Sequence, residues 1–376
     1  MTFRPYPKPP DTLFQFAARF ATNEACLQYL FEVRYPNGYV CSKCGSTRAW
    51  MVAEQPGMAI CENKHKVSVT AGTALHGTKI ALQTWFLGAW LVATHKSGIS
   101  AVAFQRQLGL SRLETAWTLL HKLRGALYAP EREQLNSACT DPAHSKHWIE
   151  IDQIEVGGEQ ERAARAAHGS NKAIVLVGVE VHMWYGQIHR DDAAGQESKR
   201  TAAPAWHTRA GRVRMRVVPT HGTKDALQFL RDDVAPGSEI RTDAHGSFNL
   251  ANAFGYRHEF TVAKTDANPL PTLGRVTTNL KRWLMGTHKG AVQPQHLQAY
   301  LNEYAFRFNR RMTPWFAFNR ALGLAALERP AVQYEGLYKV TAPPTPSSAS
   351  ARPPTHSDPE VSHAIHDPVD RKLHPA

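Results

Sequence analysis

The sequence predicts an α/β fold: a mixed sheet flanked by helices, preceded by a small cysteine-bearing module and a helical region. Three observations carry that reading. The residue period changes from helical to alternating after Ala129, and short β-rich runs then arrive in sequence, broken by one helix and followed by more. Cysteines gather near the start, at Cys41, Cys44 and Cys61, rather than spreading through the chain. The last stretch, from Thr341, is rich in Pro, Ser and His and poor in large apolar residues, so it is expected to be a disordered tail.

In order along the chain, Phe14 to Phe31 carries apolar residues at helical spacing, and Gly38 to Gly72 is punctuated like a small irregular module. Trp85, Phe86, Ala89, Trp90 and Ala93 share one helical face. The run from Ser100 to Arg124 reads as two helices joined at Leu108-Gly109-Leu110, with Ser111 placed to cap the second, which is a helix-turn-helix pattern. Strands are expected at His147–Val156, Ala173–Met183, Arg212–Val218 and Glu239–Thr242, with a helix at Thr223–Arg231. Gln187–Gly211 reads as a polar, basic loop, and Val276–Phe308 is helical again. The divisions are 1–81, 82–130, 145–330 and 341–376.

Forty-four Lys and Arg stand against 32 Asp and Glu, a formal net charge of +12 in 376 residues, which points to a polyanionic partner. With 43% hydrophobic and 20% charged residues the chain is globular in composition, and no stretch approaches a membrane span. The start, MTFRPYPKPPDTLFQF, does not read as a secretory signal, and an odd five cysteines in a chain of this length do not make a disulfide framework. A reducing cytoplasm, in association with the nucleoid, is the expected location.

Cys41-Ser-Lys-Cys44 and Cys61-Glu-Asn-Lys-His65 form two ligand pairs, each on a turn, suited to one tetrahedral Zn²⁺. His65 is the best fourth ligand, since Lys64 stands where another Cys would be, and His76 is second. Cys26 and Cys139 have no partner at ligand spacing and read as buried structural thiols. Asp152 sits among apolar residues within IEIDQIEVGG, and Asp243 ends a short strand in IRTDAHGSFNL. Either aspartate alone is ordinary; two acids on separate strands suit the paired divalent ions of phosphodiester chemistry.

Those two segments, with NLKRWLMGTHKGAVQPQHLQAYLNEYAFRFNRR and SVTAGTALHGTKIALQTWF, resemble the DDE-type insertion-sequence transposases that carry an N-terminal zinc ribbon. The similarity runs from about Phe14 to Leu327. It implies an RNase H-like catalytic domain, Mg²⁺- or Mn²⁺-dependent cleavage at transposon ends and strand transfer into target DNA. The partners it implies are double-stranded terminal repeats, target DNA and a second copy of the chain. Asp152 and Asp243 match the first and second catalytic aspartates. The family's third acid lies seven residues before a Lys; Lys281 fits that Lys and puts the acid at Gly274, within an acid-free window from Ala267 to Asn302. Asn279 is the substitute third ligand, and a helix N-cap is its other reading. The metal ligands expected are therefore Cys41, Cys44, Cys61 and His65 for zinc, and Asp152 and Asp243 for Mg²⁺.

DNA contacts are expected from Lys122 and Arg124 at the end of the helix-turn-helix, from Arg282, His288 and Lys289, and from Arg307, Arg310 and Arg311. Arg212, Arg214 and Arg216 alternate on one strand face, to touch DNA or to protect a sheet edge. The alternatives are a DNA-binding protein that kept this fold and lost the chemistry, and, last, a nuclease acting on RNA–DNA hybrids.

Overall fold

The structure, a computed structural model, describes residues 10–322 apart from 36–37, 53, 56, 72, 74, 128–133, 139–145, 157–171, 187–204, 245, 261–267, 290–291, 293, 315–316 and 319–320. Cys139, most of the expected basic loop and the expected tail lie outside the described residues.

The first helical segment is two helices, α1 (Leu13–Arg19) and α2 (Asn23–Arg34), rather than one. Thr12 and Thr22 cap them, each hydroxyl accepting an N–H three residues on, from Gln15 and Ala25. The small module is a three-stranded antiparallel sheet of β1 (Ala49–Met51), β2 (Met58–Cys61) and β3 (Lys66–Ser68). Arg34 of α2 ties it down by donating to the carbonyls of Val69 at 2.6 Å and Ala71 at 2.8 Å.

Three helices follow: α3 (Leu82–Thr94), α4 (Ala101–Gln107) and α5 (Leu113–Ala126). The α3 face expected from its spacing is buried against Phe16, Phe20 and Tyr29, with Phe318 returning from the far end of the chain. Ser100 caps α4 by accepting from the Ala103 N–H. Ser111 does not cap α5: Arg112 holds that position and no side chain bonds the helix end. The turn between α4 and α5 passes through Gly109 at φ +62°, a left-handed conformation that glycine takes without penalty.

Among the described residues, five strands form the large sheet in the order β6-β5-β4-β7-β8: β4 (Lys146–Val156), β5 (Ala173–Gly186), β6 (Ala205–Val218), β7 (Glu239–Thr242) and β8 (Arg257–Phe260). β4, β5 and β6 pair antiparallel, whereas β4, β7 and β8 run parallel. The third strand begins at Ala205, so the last part of the expected loop is sheet. β8 is a short, mostly exposed edge strand with no apolar alternation to announce it.

One face of the sheet packs Ile149, Ile151, Leu176 and Ile240 against α6 (Thr223–Asp233), chiefly Phe229 and Leu230. The other packs Val175, Val177, Val179, Val213 and Met215 against α7 (Pro271–His288) and α8 (Pro294–Asn309). Layers of helix on both faces are the arrangement that buries a mixed sheet. Because α7 starts at Pro271, Asn279 lies in mid-helix, and the N-cap reading of it is wrong.

β6 is an edge strand, and α8 blunts it. Gln298 accepts the Val217 N–H at 2.8 Å and donates to the Met215 carbonyl at 3.0 Å. Asn309 does the same for both backbone groups of Val213, at 2.7 and 3.1 Å. Two side-chain amides thus stand in for a neighbouring strand and close the edge to further pairing. The alternating arginines of β6 are engaged internally: Arg212 with Glu180 at 2.7 Å, and Arg216 with Asp232 at 2.8 Å and Asp233 at 2.6 Å, while Arg214 is buried.

Candidate functional site

In the N-terminal module, tight turns aim four donors at one point. Cys41 and Cys44 flank the first turn, which closes with Gly45 N–H to the Cys41 carbonyl at 2.8 Å. Cys61 and His65 flank the second, closed by Lys64 N–H to the Cys61 carbonyl at 2.8 Å. Each turn needs one left-handed residue, Gly45 at φ +70° and Lys64 at φ +63°. Lys64 is therefore the pivot of the second turn, and the nitrogen donor follows it at His65.

Zinc bonds of about 2.3 Å to sulfur and about 2.0 Å to nitrogen, at tetrahedral angles, place donor pairs about 3.5–3.8 Å apart. The observed separations are 3.7 Å for Cys44 Sγ to Cys61 Sγ, 3.6 Å for Cys61 Sγ to His65 Nδ1 and 3.8 Å for Cys41 Sγ to His65 Nδ1. All four donors lie within 4.8 Å of one another. The set has the chemistry and size for Zn²⁺. The backbone N–H of Lys43 leads in holding the Cys41 thiol down to about 6, which favours the thiolate a metal requires. Trp50, on β1, is exposed.

The second centre lies in the large sheet. The parallel register pairs Ile149 with Ile240 and Glu150 with Arg241, an offset of ninety-one residues. Asp152 and Asp243 are separated by the same offset, so they stand level on neighbouring strands, Asp152 within β4 and Asp243 one residue past the end of β7. Both line a cleft of about 310 Å³, together with Gln153, His221, Ser247 and Phe248. Clefts beyond the carboxyl ends of parallel strands are where open α/β sheets bind ligands. The Gln153 N–H donates to Asp152 Oδ1 at 2.7 Å and orients that carboxylate. Two half-buried aspartates converging on open space can hold oxygen-ligated divalent ions such as Mg²⁺.

Glu150, on the same face of β4 as Asp152, is turned to another task. It is 2% exposed, and its Oε2 accepts the Leu273 N–H at 2.7 Å, capping the start of α7. Burial pushes its carboxyl pKa up, against the N–H groups of Leu273 and Thr272. Gly274 carries no acid, and a Cβ there would meet Asn268 Nδ2 at 2.2 Å. Asn279 and Lys281 are exposed on α7 and are not among the residues lining the cleft; Lys281 lies within electrostatic reach of Glu155. His221, Gln153 and Ser247 escaped sequence reasoning because no spacing links the loop after β6 to the ends of β4 and β7.

The cations expected at DNA divide sharply. Arg124 is 1% exposed and donates to the fully buried Glu303 at 2.5 Å, so it is a core ion pair and not a surface contact. Arg307, its side chain 8% exposed, meets the same carboxylate at 3.3 Å and is likewise an interior partner of Glu303, not a surface contact. His288 is wedged against Trp283 and Tyr300, with ring centroids 4.9 and 4.3 Å away. Arg310 lies over Phe306, and Arg311 donates to the carbonyls of Ala210 and Gly211. Arg282 and Lys289 are exposed, as is Lys281, and Lys122 is half-buried.

No described helix is long and apolar enough to cross a membrane. No curated protein matches the chain. Family comparison matches residues 146–309 to the ISXO2-like transposase domain and residues 21–63 to the transposase zinc-ribbon domain. The first match covers the whole large sheet with α6, α7 and α8, and the second covers both ligand turns up to Asn63. Together they span more than half of the sequence, in the order ribbon then sheet, and the chain belongs to the transposases that join a zinc ribbon to a DDE domain.

Proposed function

We propose that the protein cleaves DNA at transposon ends and joins those ends to target DNA, with Asp152 and Asp243 holding Mg²⁺ or Mn²⁺. The observation that carries this reading is the level placement of the two aspartates on adjacent parallel strands at one cleft. Divalent ions bound there supply activation of the attacking oxygen and stabilisation of the leaving oxygen. The chain's own part is to fix two carboxylates on a rigid sheet, one of them oriented by the Gln153 N–H. Zn²⁺ held by Cys41, Cys44, Cys61 and His65 would brace the ribbon, and α4 with α5 would approach the terminal repeats. Exposed Lys281 and Arg282 on α7, with Lys289 at its C-terminal cap, suit the phosphate backbone. Self-association on DNA follows from the need to bring two ends together.

A second reading, a DNA-binding protein without turnover, is favoured by one observation: α7 presents no acid to the cleft, and Asn268 fills the space over Gly274. An inverted-repeat oligonucleotide taken from the DNA flanking the gene separates the two. The first reading expects nicking that needs Mg²⁺ or Mn²⁺ and falls to background in Asp152→Asn and Asp243→Asn. Specific binding with no cleavage in either metal would establish the second.

A further inference from the structure

At the end of the sheet away from the cleft, two strands run on as a ribbon. Among the described residues β4 reaches no farther than Lys146, opposite Met183, whereas β5 and β6 stay paired through Trp184, Tyr185 and Gly186 with His207, Trp206 and Ala205. A bare two-stranded ribbon is marginal in water, so its side chains must hold it. One face does so. Trp184 lies 5.6 Å from the His207 ring, Arg209 lies over Trp184 at 5.8 Å, and His207 Nε2 donates to the Gly186 carbonyl at 3.0 Å. The opposite face carries Tyr185 and Trp206, cross-strand partners with ring centroids 5.3 Å apart. They are 59% and 58% exposed. A lone exposed ring is ordinary, but two adjoining rings on a projecting ribbon form an apolar patch of the kind that marks a contact surface.

The charge around the patch selects its partner. Exposed Lys146 stands opposite Met183, Arg209 belongs to the ribbon, and exposed Arg311 donates to the carbonyls of Ala210 and Gly211. The acids nearest along these strands, Glu150 and Glu180, are 2% and 4% exposed, and Glu180 is given over to Arg212. Exposed rings among cations suit a nucleic acid, whereas a second copy of a chain of net charge +12 would bring like charge. The major groove of duplex DNA admits a two-stranded β-ribbon. We propose that this ribbon enters a groove of duplex DNA, with Tyr185 and Trp206 against base edges and sugars and with Lys146 and Arg209 at phosphates. The proposal rests on the reading of DNA as the partner, not on cleavage. Tyr185 lies eight residues beyond Val177, the partner of Asp152, toward the opposite end of the sheet. At about 3.3 Å per residue that is about 26 Å, so the contact is separate from the cleft.

The test uses the zinc-loaded full-length protein and a duplex bearing the inverted repeat from the DNA flanking the gene, with 5-iododeoxyuridine at successive positions. Wild-type protein should form ultraviolet crosslinks at Tyr185 or Trp206, located by mass spectrometry. Replacing both rings with serine should weaken duplex binding by at least about fivefold, the low end for removing a ring that meets a base. The salt slope should stay unchanged, since apolar contacts release no counterions, and replacing both rings with phenylalanine should restore affinity. Arg209→Gln should instead lower the slope of log affinity against log salt by about 1. If wild type binds the duplex but crosslinks at neither ring, and the serine variant binds equally, the proposal is overturned while the DNA reading stands. Loss of self-association in the serine variant, measured by sedimentation with duplex binding unchanged, also overturns it and makes the ribbon a contact between copies. If wild type binds no duplex, the DNA reading fails and the proposal falls with it.

Discussion

Gly98, in the turn between α3 and α4, joins the helical region to the sheet domain, and replacing it with alanine should loosen that junction. The residue has φ +63°, and an added Cβ would meet Trp283 Nε1 at 2.6 Å, Arg307 Nη2 at 2.9 Å and Glu303 Oε1 at 3.1 Å. None of these is a free side-chain end: Trp283 is 7% exposed and Glu303 is fully buried. Arg307 is also tied to the Lys96 carbonyl at 2.8 Å. A left-handed backbone costs an L-residue about 1–2 kcal/mol, and overpacking adds about 1–3 kcal/mol, so Gly98→Ala should cost about 2–5 kcal/mol. At about 2–4 °C per kcal/mol for a large domain, the unfolding midpoint falls by roughly 4–20 °C. Gly109 is an internal control, with φ +62° and nothing within 4 Å of the added atom. Gly109→Ala should therefore show the backbone cost alone, about 1–2 kcal/mol. Thermal unfolding followed by tryptophan fluorescence measures both. Equal shifts for the two variants would refute the claim that the Glu303 cluster grips this turn.

Acid should destabilise the same junction. Burial holds the His121 pKa down at about 2 and that of His288 at about 4, and lowers His296 as well. The charges facing them are Arg124, Arg307 and Glu303. The unfolded chain binds protons near pH 6.5 that the folded one refuses, so this stability is full above about pH 6.5 and erodes as pH falls toward 4. Urea midpoints should drop steadily from pH 7 to pH 5, and a flat profile would count against buried neutral rings. Cys41→Ser should reduce zinc from about one equivalent per chain, measured by elemental analysis of the purified protein. Gln298→Ala leaves the Met215 carbonyl and the half-buried Val217 N–H without their partner, at about 1–3 kcal/mol for the buried carbonyl. Hydrogen exchange at the Val217 amide should accelerate, and unchanged protection would mean that α8 does not close the edge. Replacing Arg282 and Lys289 with Gln should lower the slope of log affinity against log salt by about 2 if both meet phosphates.

The ligand turns were legible because their chemistry is local. Two turns of a few residues each carry donors whose type and spacing already suit one metal site. The strands bearing Asp152 and Asp243 were legible through alternation, since Ile149 and Ile151 face one core while Asp152 falls on the opposite face of the strand. The cations were misread for a physical reason. A helical cationic face looks the same in sequence whether it meets water or a buried acid, and Glu303, far from Arg124 in the chain, decides the matter only once α5 and α8 pack. The arginines of β6 carry the same lesson, their partners Glu180, Asp232 and Asp233 lying on other elements.

The pairing of Asp152 with Asp243 illustrates how far a single register constrains chemistry. Side chains alternate along a strand, so sliding β7 by one residue against β4 would send Asp243 to the other face of the sheet. What fixes the slide is apolar: Ile240 must enter the same core as Ile149, Phe229 and Phe248. The cleft is thus set by isoleucines that never touch it, and Glu150 adds a second lock by capping α7 from the same strand face. A cavity-forming change such as Ile240→Ala should then loosen β7 and disturb divalent binding together. Asp243→Asn should disturb binding with the fold intact, which separates the scaffold's role from the ligand's.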